Sequence, residues 1–117
     1  MLPKENRLKK RIAFNATYRT GLSFHKDGIT VFCGKKKSAE IPTKIGFVVS
    51  KKIHKRAVRR NRIKRLMRES LRLYIKGCGD FDTQYMSLVF VASSKLLDKN
   101  FNEVDIAIKK LMGKINA

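Results

Sequence analysis

Residues 50–72, which read SKKIHKRAVRRNRIKRLMRESLR, decide how the rest of the sequence is interpreted. Between Lys51 and Arg72 there are eleven lysine or arginine residues and one acid, Glu69. From about Ala57 onward, the apolar residues recur with the period of about 3.6 residues that is typical of an amphipathic helix. One side of this helix carries Ile63, Leu66, Met67, Ser70 and Tyr74, and the other carries Asn61, Lys64, Arg65, Arg68 and Arg72.

The basic side of this predicted helix has two explanations. A charged helix face is usually just solvated, but such faces normally mix the two signs. Like charges three and four positions apart repel by a few tenths of a kcal/mol per pair, so a face of one sign favours a polyanionic partner. The whole chain points the same way, because its net charge is +19 over 117 residues. We therefore interpret the helix as a nucleic-acid-binding element.

The composition indicates a single small domain covering residues 1–117, with residues 1–6 expected to be flexible. Apolar residues make up 43% of the chain, which is enough for a packed core. No apolar run approaches the roughly 18 residues of a membrane span, and the first residues lack the apolar core of a signal peptide. Cys33 and Cys78 form no CxxC pair, so we expect reduced thiols, no zinc site and a cytoplasmic location.

The remaining elements predict an α+β fold with the order α-β-β-α-β-α and helices packed on a central sheet. Residues 7–19 are typical of a helix that ends before Gly21, and residues 102–115 of a second helix. Residues 29–33, 44–50 and 86–92 are typical of strands, and the last is so apolar that we place it inside the sheet. We expect residues 77–80 to form the turn that ends the basic helix. The general rule makes the β-α-β crossover around that helix right-handed in about 98% of cases.

Phe14 and Tyr18 lie four positions apart and therefore share one face of the first helix. From the residues alone, the simpler explanation is that both face the core. Phe32, in the first strand, has the same two possible roles.

The arginine-asparagine-arginine run at Arg60, Asn61 and Arg62, with Ser50-Lys51-Lys52 before it, resembles the signature of the bacterial ribonuclease P protein subunit. The resemblance covers nearly the whole chain, including residues 7–21, 45–52 and 89–92. It departs from the family at His54-Lys55-Arg56, where many members have a glycine-containing turn, and at Tyr18, where phenylalanine is common. The resemblance implies a ribosomal-protein-like fold whose β-α-β crossover is left-handed, against the general rule.

The resemblance also implies a function. The protein would be an auxiliary subunit that helps a catalytic RNA remove the 5′ leader from precursor tRNA. Magnesium would be required by the RNA, with no metal site and no catalytic residue in the protein. The expected partners are the catalytic RNA in a 1:1 complex and precursor tRNA, with no membrane and no obligate protein partner.

Two groups of residues follow from the resemblance. Those expected to bind the catalytic RNA are Arg56, Arg60, Asn61, Arg62, Lys64, Arg65 and Arg68. Those expected to form a cleft for the single-stranded leader, through stacking and backbone charge, are Phe14, Tyr18, Phe32, Lys51 and Lys52. Arg59 falls near the apolar side of the predicted helix and is left out.

The alternative from a different class is a ribosomal or ribosome-assembly protein of similar fold. A helix-turn-helix DNA regulator is disfavoured, because strands and not a second helix flank the basic helix. A membrane-active cationic protein would need a larger apolar face on that helix.

Overall fold

The computed structural model describes residues 6–37, 42–78 and 83–115. The elements in chain order are α1 (Arg11–Arg19), β1 (Ser23–Lys26), β2 (Ile29–Cys33), β3 (Lys44–Val48), α2 (Ala57–Cys78), β4 (Ser87–Ala92), a short 3-10 helix (Ser94–Asp98) and α3 (Phe101–Ile115). The predicted α+β class is confirmed, with one more strand than the sequence predicted.

The four strands form one mixed sheet in the order β1-β2-β4-β3. β4 lies inside the sheet as predicted, antiparallel to β2 and parallel to β3. An interior strand is covered on both faces, which is why its sequence is continuously apolar. β3, α2 and β4 therefore form the expected β-α-β unit, and its left-handed crossover stays a prediction.

β1 is the strand that the sequence interpretation missed. It is a four-residue edge strand of sequence SFHK, and only Phe24 in it has high strand propensity. The signal was in the turn that follows, because Asp27 and Gly28 both have positive φ, at 48° and 91°. An Asp-Gly pair is a strong indication of a two-residue hairpin turn.

The sheet has an inner face, against which α2 and α3 pack, and an outer face, on which α1 lies. Val31 and Phe90, which are paired across β2 and β4, point into the core on the inner face. Ile63 and Met67 of α2 reach the same core. The buried stripe predicted for the last helix is confirmed, and it consists of Val104, Ile108, Leu111, Met112 and Ile115.

Some predicted boundaries were wrong. α1 begins at Arg11 and not at Arg7, because the backbone N–H of Leu8 donates to the carbonyl of Ile45 at 2.9 Å and holds this segment extended beside β3. α2 continues to Cys78, so the predicted turn is wrong for residues 77 and 78, and residues 79–82 lie outside the described part of the chain. Residues 1–5 also lie outside it, while the side-chain amide of Asn6 donates to the carbonyl of Thr43 at 2.9 Å.

Candidate nucleic-acid interface

The polar face of α2 carries the predicted RNA-binding residues. Burial of Ile63, Met67 and Ser70 against the core fixes which side of the helix points away from the protein. The opposite side is basic over three turns. Exposed residues of the predicted set are Arg56, Asn61, Arg65 and Arg68, and half-buried ones are Arg60, Arg62 and Lys64.

The electrostatics of α2 favour an anion at its first half. The first turn holds no acid, so the positive end of the helix dipole adds to the charge of the side chains. The one acid of the helix, Glu69, accepts from Nε and Nη2 of Arg72 at 3.1 and 2.6 Å. This hydrogen bond lowers the pKa of Glu69. Because Glu69 neutralises Arg72, the unpaired part of the basic face ends at Arg68.

Two of the predicted arginines are constrained by the protein itself. Nη2 of Arg62 donates to the carbonyl of Lys99 at 3.2 Å, just before α3, so this guanidinium links two segments as well as carrying charge. Nε of Arg60 is buried with no acceptor within the described residues. A phosphate can therefore reach Arg60 at its terminal amino groups but not along its Nε edge.

The loop between β3 and α2 is held by local hydrogen bonds. Nδ1 of His54 accepts from the backbone N–H of Arg56 at 3.0 Å, and the carbonyl of Ser50 accepts from the N–H of Ile53 at 3.0 Å. His54 thus stabilises the turn at the place where the family often has a glycine. Lys51 and Lys52, which were predicted for the leader cleft, lie exposed in this turn.

α1 is fixed to one end of the outer face of the sheet. The hydroxyl of Thr17 is 2.5 Å from that of Ser87 on β4. Beyond this contact, Tyr18 of α1 meets Phe32 of β2 edge-on, with ring centroids 5.0 Å apart. Both rings are half-buried, and burial raises the pKa of the Tyr18 phenol, which therefore stays neutral. The structure thus brings together two of the three predicted aromatic residues.

Phe14, the third aromatic residue, lies on the backbone of β3. A Cβ added to Gly46 would come within 2.5 Å of Cζ of Phe14, so the ring occupies the space that a side chain would need. A cavity of about 300 Å³ lies beside it. Its lining residues are Arg7, Leu8, Lys9, Phe14, Ile45, Gly46, Phe47 and Arg68.

The sequence interpretation missed two features of this surface. Gly46 was read only as a strand residue, and a single sequence carries no signal that a ring would lie on it. Arg59 was left out because of its angle on the helix, but it is exposed.

Other kinds of site were sought in the same residues. Within residues 6–37, 42–78 and 83–115, no three histidine, cysteine, aspartate or glutamate side chains are grouped so that they could hold a metal ion. No helix of the described chain has the length and apolar character needed to cross a membrane.

Comparison with known proteins identifies the family. The family model for ribonuclease P matches residues 2–116. The chain belongs to the ribonuclease P protein family. Ribonuclease P protein components of Clostridium novyi and Clostridium botulinum are 33% and 35% identical over 111 residues, and the match covers 95% of this chain in both cases and 94% and 95% of the relatives.

Solved structures agree with this assignment. The RNase P protein from Thermotoga maritima superposes with a TM-score of 0.76 at 25% identity, covering 95% of this chain and 98% of that one. The Staphylococcus aureus RNase P protein has the same fold, with a TM-score of 0.78 and coverage of 97% and 100%. As a member of the ribonuclease P protein family, the chain is a component of a tRNA-processing ribonucleoprotein, and its partner is the ribonuclease P RNA.

Proposed function

We propose that the protein binds the catalytic RNA of ribonuclease P through the basic face of α2 and the 5′ leader of precursor tRNA through α1 and the outer face of the sheet. The observation that carries this proposal is the arrangement of the two surfaces: a helix face of one charge lies next to a sheet face with half-buried aromatic rings. The first suits a folded RNA backbone, and the second suits unpaired bases.

The residues would act by binding and positioning. Arginine and lysine side chains on α2 neutralise phosphates and release counterions, so affinity for the RNA falls steeply with salt. Asn61, which is exposed, can donate to and accept from a base edge or a 2′-hydroxyl. Tyr18 and Phe32 offer flat surfaces to leader bases, and Lys51 and Lys52 offer charge to its backbone. The protein thereby promotes cleavage, while the RNA, with its magnesium, performs the chemistry in a 1:1 cytoplasmic complex.

The test is reconstitution with the catalytic RNA and a precursor tRNA at low magnesium. The informative variant is Arg60→Ala/Arg65→Ala, which avoids Arg62 and its bond to Lys99. Its matched control is Lys95→Ala/Lys110→Ala, which removes the same charge from exposed positions outside α2. We expect the first variant to lose most of the stimulation of leader removal and the control to keep it.

The salt dependence separates a specific face from general attraction. If each of the two α2 arginines contacts a phosphate, the slope of log affinity against log salt falls by about 0.7–0.9 per contact. Equal losses in the two double variants would contradict the assignment to α2. No stimulation by the unchanged protein, with RNA from its own source, would contradict the proposed function itself.

A further inference from the structure

The cavity beside Phe14 is separate from the contact between Tyr18 and Phe32. Neither of those two rings lines it. It lies at the β3 edge of the sheet, where Phe14 of α1, Gly46 of β3 and Arg68 of α2 meet. Three elements that are far apart in sequence therefore build one concavity, which the predicted cleft did not include.

The lining of this cavity is suited to a nucleotide. Phe14 and Phe47 give it apolar walls, and Arg7, Lys9 and Arg68 give it positive charge, with no acid among its lining residues. Its volume of about 300 Å³ is at the small end of the range for ligand pockets. An aromatic ring next to cations is the combination that binds an unpaired base together with its phosphate.

Arg68 has no competing partner in the described part of the chain. The neighbouring acid, Glu69, is held by Arg72 in a two-point hydrogen bond. The sequence placed Arg68 with Arg65 on the surface for the catalytic RNA, but only Arg68 reaches the cavity with Phe14.

We propose that this cavity is a pocket for one nucleotide of the leader, in which the base contacts Phe14 and the phosphate binds Arg68. The inference rests on the proposed leader binding and assigns Arg68 to the leader, whereas its neighbour Arg65 serves the catalytic RNA. Gly46 is a positioning residue in this pocket, because the absence of a side chain there lets the ring of Phe14 lie on the strand.

The experiment compares Arg68→Ala with Arg65→Ala, two exposed arginines on the same helix. Two affinities are measured for each variant: that of the protein for the catalytic RNA, and that of the holoenzyme for mature tRNA and for precursors whose leaders grow by one nucleotide at a time. We expect Arg68→Ala to weaken precursor binding about tenfold, which is the loss of one charged hydrogen bond. The loss should appear at one step of leader length, and binding of mature tRNA and of the catalytic RNA should not change.

A second variant tests the shared pocket. Phe14→Ala should weaken binding at the same step of leader length, and the double variant Phe14→Ala/Arg68→Ala should lose less than the product of the two effects. A loss for Arg68→Ala that resembles that of Arg65→Ala, a loss spread over all leader lengths, or no loss would each overturn the pocket. Equal affinity of the unchanged holoenzyme for precursor and mature tRNA would instead overturn the proposed leader binding.

Discussion

The substitution Gly46→Ala tests whether Phe14 is held by the absence of a side chain beneath it. The added Cβ would lie 2.5 Å from Cζ of Phe14, whereas carbon atoms in contact are about 3.5–4.0 Å apart. The ring must therefore retreat by about 1 Å or turn away from the strand. Leu8, whose Cβ lies at 3.4 Å from the added atom, limits relief on the other side.

The magnitude follows from two opposing effects. Overpacking of this kind costs about 1–3 kcal/mol. Replacing a strand glycine that does not need positive φ with alanine gains about 0.5–1 kcal/mol. We therefore expect Gly46→Ala to destabilise the protein by about 1 kcal/mol, or roughly 4 °C in Tm for a domain of this size.

The decisive comparison is the same substitution in the Phe14→Ala background. Without the ring, the clash disappears and the gain of the glycine replacement remains, so Gly46→Ala should stabilise that background by about 0.5–1 kcal/mol. The assay is thermal or urea unfolding of the four proteins, with phosphate present to offset the net charge of +19. Gly77→Ala is the control, because nothing lies within 4 Å of the Cβ added at that helical glycine. An equal effect of Gly46→Ala in both backgrounds would refute the reasoning.

Three further predictions concern the described contacts. Arg62→Ala should lower stability by about 1 kcal/mol through loss of its bond to the carbonyl before α3, whereas Arg65→Ala should change it by less than about 0.5 kcal/mol, as urea unfolding would show. Thr17→Val removes the hydroxyl that meets Ser87, so α1 should loosen, which is measurable as faster amide hydrogen exchange in α1 with little change in α3. For Asp105, burial acts to raise its pKa, but hydrogen bonds from Lys109 and Ser70 outweigh it and the pKa is lowered. Its contribution to stability is therefore present above the unfolded value of about 3.9 and lost as the pH falls below it, and Asp105→Asn should reduce the loss of Tm between pH 5 and the acid limit.

The sequence predicted α2 and the central strand well, because their signals are local. The period of Ile63 and Met67 fixed the inward side of the helix, and hence the outward side with its cations. The continuous apolar run of β4 required cover on both faces. The residue-by-residue resemblance then brought in the functional assignments, which charge alone could not distinguish from those of any other RNA-binding protein.

What the sequence could not predict depends on contacts between distant residues. Arg62 bonds to a carbonyl 37 positions away, and nothing in the arginine-asparagine-arginine run indicates it. The role of Gly46 depends on a ring from another element, since glycine in a strand has many explanations. β1 is a different case, because its Asp27-Gly28 turn was visible and was overlooked in favour of the weak strand propensity before it.

The position of β3 explains how two RNA surfaces can act together in a protein proposed to have no catalytic residue. β3 is an edge strand, so α2 on the inner face and α1 on the outer face both reach past it, and Arg68 and Phe14 line one cavity there. Because α2 follows β3 after a short, hydrogen-bonded turn, an RNA held by α2 has a fixed position relative to a leader held beside β3. An effective orientation of this kind promotes cleavage by the RNA without any reacting group from the protein.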